Sequence, residues 1–270
     1  SATGDVTLAV SSNSSGASNG TAFIGSYATG NGAVNVSVAS LNGKVVLNAA
    51  DTGAQVEIGT RSSGLTGNVT GNVRVSAANA TNGNITVSAT GSGAVALIGN
   101  AGYGSTVSGN ITVLAGNALQ IVGDRQLSQT EGTLAQIGNT VANFSGDPTV
   151  SGKASGNVAV TGGTINGIEG SVLNDIAGGN VTVGVTKSSA SVVIDDDIDY
   201  ASANTLTILT AGNLTVSGNI QNSGTGNITL LAGWNTSVAP SSALTASGAY
   251  GNNNATLTIG GSSAGGNSAV

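Results

Sequence analysis

The chain has 270 residues, with 44 Gly, two Pro, one Trp and no Cys, Met or His, and its 6 Lys+Arg against 12 Asp+Glu give a formal net charge of −6. Without Cys or His there are no disulfides, no thiolate chemistry and no Ser-His-Asp or Cys-His nucleophile system, and the commonest transition-metal ligand is missing. The mean hydropathy of +0.22 with only 7% charged residues excludes a disordered polyelectrolyte.

The six basic residues, Lys44, Arg61, Arg74, Arg125, Lys153 and Lys187, are scattered singly. They leave no patch for a phosphate backbone, so no nucleic acid is expected. No apolar run approaches the ~18 to 20 residues that would span a bilayer as a helix.

In chain order the predicted elements are short strands of two kinds. "TAFIG" at 21–25 and "AQVEIG" at 54–59 end in Ile-Gly, as do "AVALIG" at 94–99 and "LAQIG" at 134–138. Between and after them runs a second phrase: "GNVRVSA" from Gly71, "GNITVSA" from Gly83 and "SGNITVLAG" from Ser108. It returns as "GNVAVTG" from Gly156, "GNVTVGV" from Gly179, "GNLTVSG" from Gly212 and "GNITLLA" from Gly226. Within the phrase, β-branched and polar residues alternate, the period of a half-buried strand. No segment has helical apolar spacing, and Gly or Asn interrupts nearly every window, so no helices are expected.

One phrase written repeatedly builds one structural unit repeatedly. The Ile-Gly pairs begin at 24, 58, 98 and 137, and each of these long steps holds about two shorter units near 20 residues. This predicts an all-β right-handed parallel β-helix over 1–270, one continuous β-solenoid of roughly 12 to 14 coils and ~60 Å length. Its core must be slender, because Val, Ile, Leu and Ala have to fill it with only two Phe and one Trp to help. "GTRSSGLTGNVT" and "GNTVANFSGDPTVSGKAS" are expected to bulge from the coil. Gly before Asn suits a corner that needs positive φ, and stacked Asn amides can hydrogen-bond from coil to coil. The expected ladder is Asn72, Asn84, Asn110, Asn157, Asn180, Asn213 and Asn227. The chain starts and stops in mid-phrase, as a piece of a longer repeat protein would.

The text "ALIGNAGYG" (96–104), "SGNITV" (108–113), "LAQIGN" (134–139) and "GNLTVSGNIQNSGTGNITLLAGW" (212–234) resembles the repeat region of filamentous haemagglutinin-like large exoproteins, passengers of bacterial two-partner secretion. The resemblance implies a β-helix exported through an outer-membrane partner pore and folded at the cell surface. It implies a secreted, non-enzymatic rod acting in adhesion, aggregation or biofilm, with a cell-surface or glycan receptor that the sequence does not name. A structural filament of such units joined end to end is the alternative.

Sites with chemistry are sparse. "VVIDDDIDY" at 192–200 offers Asp195, Asp197 and Asp199 on one strand face, a possible oxygen set for Ca²⁺, against a solvated acidic corner as the simpler reading. No other cofactor is expected. A carbohydrate-active β-helix would have only this cluster to work with, and Lys187 as its nearest base. "GSSAG" at 261–265 matches G-x-S-x-G around Ser263 without a His, and "DTG" at Asp51 occurs once where an aspartic protease needs two copies. Gly152-Lys153 lacks the rest of a P-loop. Tyr103, Tyr200, Trp234 and Tyr250 could stack on sugars or simply anchor loops, and the Thr of "TLTIL" is too irregularly repeated for an ice-binding array.

Overall fold

The structure is a computed structural model. It describes residues 1–10, 20–29, 31–62, 67–102, 106–123, 133–141, 153–168, 176–243, 250–251, 254–259, 262–264 and 268–269. Tyr103, Arg125 and the central parts of both expected bulges lie outside the described residues.

The alternating phrases form strands, and the strands stack in parallel. On the widest sheet, the long face, Val36–Ser40 pairs with Val73–Ala77, which pairs with the first half of Ile111–Val122. Val158–Asn166, Val181–Val185, Leu206–Thr210 and Ile228–Ala232 follow in order, all parallel. A second arm of the same face stacks Val6–Val10, Val45–Ala49 and Ile85–Ala89, then the second half of Ile111–Val122. A back face stacks Thr21–Ala28, Gln55–Ser62, Val95–Ile98 and Leu134–Ile137, so Ile24, Ile58, Ile98 and Ile137 lie one above another. A short edge of Gly32–Ala33, Val69–Thr70, Thr106–Ser108 and Lys153–Ser155 joins back face to long face.

This is the expected all-β parallel solenoid, and the described residues contain no α-helix, only short 3-10 turns such as Pro240–Ser242. The coil length is not the expected one. Val6 stacks on Val45 and Val45 on Ile85, so one full turn of the lower half takes 39 or 40 residues. The Ile-Gly step is the coil itself, and "GNVRVSA" and "GNITVSA" are the two arms of one face within one turn. Above Val158 the turn shortens: Val158, Val181, Leu206 and Ile228 follow at steps of 23, 25 and 22. The back face and short edge give way there to a side face, Ser191–Ile194, Asn213–Val216 and Leu257–Ile259, and a narrow edge, Ile198–Tyr200 and Ile220–Asn222. Among the described residues the long face holds seven stacked strands in its main arm, not the expected 12 to 14 coils. At ~4.8 Å per strand the stack is about 34 Å tall.

Inward aliphatics make the core. Val45, Leu47, Ile58, Ile85, Ile98 and Ile111 are fully buried in one continuous cluster running through the coils. At the top, two antiparallel pairings appear: Ile228–Ala232 with Ser268–Ala269, and Leu257–Ile259 with Ser262–Ala264.

Gly is dictated at the corners by close stacking. Gly109 has φ +136, and a Cβ there would lie 2.0 Å from the carbonyl oxygen of Gly71 in the coil beside it. Gly99, with φ +154, would meet the Gly138 oxygen at 1.8 Å. No side chain fits between coils at such distances.

Candidate functional site

The most regular side-chain array is a chain of Asx groups at the corner where each coil enters the long face. Asn35 Oδ1 accepts the Asn72 N–H at 2.8 Å, Asn72 accepts from Asn110 at 2.9 Å, and Asn110 from Asn157 at 3.1 Å. Asn157 then accepts from Asn180 at 3.0 Å, and Asn180 from the N–H of Thr205 at 2.8 Å. Each residue precedes the first inward residue of its strand, so its side chain supplies the acceptor that the strand ladder does not.

The structure brings Asn72, Asn110, Asn157 and Asn180 into one column and separates the other three. Asn227 stands at the top of that column, above Thr205, where the Asn series ends. Asn213 does the same work on the side face, accepting the Thr256 N–H at 3.0 Å. Asn84 lies in the second arm, and its Oδ1 accepts from the Asn117 amide at 2.7 Å. Asn117 Oδ1 in turn accepts from Lys187 Nζ at 2.5 Å.

The acidic run is part of the same system. The strand ends at Ile194 and resumes at Ile198, so Asp195, Asp196 and Asp197 occupy the corner and do not share a strand face with Asp199. All four are exposed. Asp197 Oδ1 accepts the Asn219 N–H at 2.7 Å, the role Asn plays elsewhere, and Asp199 Oδ1 accepts from the Asn219 side chain at 3.3 Å. Among the described residues no group of three or more Asp or Glu converges as a metal site would. Asp199, Tyr200, Ala201, Gln221 and Ser223 line an open depression of about 410 Å³. Tyr200 follows the buried Ile198 at the strand period and, half-buried, packs against the main core while also lining this depression.

The remaining candidates have structural places. Trp234 is buried over Gly184, Leu209 and Leu231 on the outside of the long face, and its Nε1 donates to the Val238 oxygen at 3.0 Å. Tyr250 is exposed and forms an isolated antiparallel bridge with Trp234. Asp51 sits in a turn and its backbone oxygen accepts the Ala54 N–H. Ser263 is in Ser262–Ala264, while the flanking Gly261 and Gly265 lie outside the described residues.

Three groups were missed in the sequence. Asn35 follows Val34 rather than a Gly, and Asn31 follows Gly30 but leads into Gly-Ala-Val rather than the alternating phrase, yet Asn31 Oδ1 accepts the Asn68 N–H at 2.8 Å. Asn100 and Asn139, directly after the Ile-Gly pairs, are buried: Asn100 Oδ1 accepts from Thr60, and its Nδ2 donates to the Gly71 and Ser108 oxygens. Asn139 repeats this with Asn100 N–H, Gly109 and Ser155. The third group is an ion pair on the outer side of the back face, where Glu57 Oε2 accepts from Arg61 Nε at 2.6 Å with both side chains buried. Desolvation raises the Glu57 carboxyl from 4.5 to about 7, despite the lowering effect of Arg61.

Comparison with family models, with curated proteins and with solved structures finds no match.

Proposed function

We propose that the chain is a segment of the shaft of a secreted bacterial adhesin, a rigid extracellular spacer that turns over no substrate. The observation that carries this reading is the use of the polar side chains. The Asn column, Asp197 and Asn213 spend their acceptors on the backbone of the neighbouring coil, so the chemistry of the corners goes into axial stiffness. The repeat text resembles filamentous haemagglutinin-like exoproteins, and this resemblance supports a rod outside the cell, exported through an outer-membrane partner. Contact with a cell-surface or glycan receptor, and any role in aggregation or biofilm, would then fall to other parts of the rod's surface.

Filaments of units joined end to end are the second reading. They need free strand edges at both ends of the stack. At the upper end, Ile228–Ala232 and Leu257–Ile259 already carry antiparallel partners, which weighs against end-to-end joining there.

A spacer tolerates a change of length. Val181 and Leu206 occupy equivalent positions, so deleting residues 181–205 removes one coil in register. The shaft reading predicts that cells displaying the natural protein without this coil still adhere to host cells or to one another as the parent does. Loss of adhesion by a deletion protein that is exported and folded contradicts it.

A further inference from the structure

The back face is closed on both sides. Val56 and Ile58 face the main core, while Val95, Leu97, Ala101 and Leu134 form a separate buried cluster on the outer side. Glu57 belongs to this outer side and is fully buried. Its Oε2 is held by Arg61 Nε, and Arg61 Nη1 also donates to the Gln55 Oε1. Its Oε1 is buried and has no hydrogen-bond partner among the described residues. The strand neighbours of Glu57 are Phe23 on one side and Leu97 on the other, neither of which can solvate a charge.

We propose that Glu57 is a proton-operated latch, which holds the lower coils more tightly when its carboxyl is neutral than when it is ionised. The strands packed against Gln55–Ser62 bring little else that titrates. Thr21–Ala28 contributes Tyr27 beside Arg61, Val95–Ile98 contributes Leu97, and Ala101–Gly102 contributes Ala101. Val6–Val10, Gly32–Ala33, Val36–Ser40, Val45–Ala49 and Val69–Thr70 contain no charged residue. Arg61 is therefore the one fixed charge facing Glu57 among the described residues. It offsets only part of the cost of burying a carboxylate with one oxygen unsolvated.

The direction follows from linkage. The folded chain holds the Glu57 proton up to about pH 7, whereas the unfolded chain releases it near 4.5. Between those values the native state binds more protons, so this group's stabilising contribution is full below pH 4.5 and is lost as pH rises through 7. From pH 5.5 to 8.5 the unfolding constant should rise about 30-fold through this group alone.

Two measurements test the latch. In the first, urea unfolding of the wild type and Glu57→Gln is compared at pH 5.5 and 8.5. The wild type should lose stability by that factor toward alkaline pH, and the variant should be nearly flat; equal pH dependence in both overturns the proposal. The second needs no change at Glu57. The chain has three Glu, so Glu131→Gln with Glu169→Gln leaves Glu57 as the single ¹³C-labelled glutamate carboxyl. Its NMR titration should centre near neutrality, and a midpoint below pH 5.5 overturns the latch whether or not Glu57→Gln folds.

Discussion

Asn72 and Asn110 are 38 residues apart in sequence, yet the side-chain oxygen of Asn72 accepts the backbone N–H of Asn110 at 2.9 Å. The same relation joins Asn110 to Asn157 over 47 residues and Asn157 to Asn180 over 23. The chemistry stays constant while the loop closed by each bond changes twofold, so the corner, not the sequence interval, is the conserved unit of construction within this chain. Replacing Asn110 with Ala removes the acceptor for Asn157. The site is exposed and water can replace the bond, so the expected loss is modest, about 1 kcal/mol by urea unfolding. Asn110→Asp keeps an acceptor there and should lie closer to the wild type.

The series stops at Thr205, whose shorter side chain replaces the Asn that stands at this corner in the five coils below. Asn227 follows directly above it in register. Thr205→Asn should extend the column to Asn227 and raise stability by about 0.5 to 1 kcal/mol. No gain, in a variant that keeps its circular dichroism, would show that the column adds nothing at its upper end.

Two glycines should respond oppositely to the same substitution. At Gly109 a Cβ would meet the Gly71 oxygen at 2.0 Å and the Asn100 amide at 3.2 Å, on a backbone with φ +136. At Gly4 it meets nothing within 4 Å. Gly109→Ala should cost about 3 kcal/mol or more, or prevent folding, because relief requires two coils to separate. Gly4→Ala should be nearly neutral in the same thermal melt.

Burial should separate the two classes of asparagine. Asn100 is fully buried and serves the Thr60 N–H and two carbonyl oxygens of the opposite corner. Asn100→Ala leaves those groups unpaired away from water, at a cost of about 2 to 4 kcal/mol. A penalty no larger than that of Asn110→Ala would mean that water reaches the corner and carries the bonds.

Strands were legible in the sequence because alternation of β-branched and polar residues is a local property; "GNITVLAG" shows its faces without reference to any neighbour. Four of the corner asparagines were legible for the same reason, since each follows a Gly that the close approach of coils requires. The coil length was not. Two arms of one face, Val73–Ala77 and Ile85–Ala89, are written in the same phrase, and "GNLTVSG" from Gly212 forms a side-face strand, so counting phrases does not count turns. Asp197 and Asn35 were hidden because no Gly precedes them, although they cap corners as the others do. Glu57 and Arg61 were not legible in "VEIGTR" as a buried pair, because alternation marks the face they occupy but not that the outer side of that face is covered.

The turn shortens from 39 or 40 residues below Val158 to 22 to 25 above it, and a distance measures the consequence. Ser37 and Thr207 occupy equivalent outward positions on the long face, five strands apart through Arg74, Thr112, Ala159 and Thr182. The chain has no Cys, so Ser37→Cys with Thr207→Cys gives one pair of spin labels. Double electron-electron resonance should return a distance centred near 24 Å, five steps at ~4.8 Å. Uniform coils of about 20 residues would place the same pair more than eight strands apart, and a distribution centred at or beyond ~40 Å would contradict the architecture described.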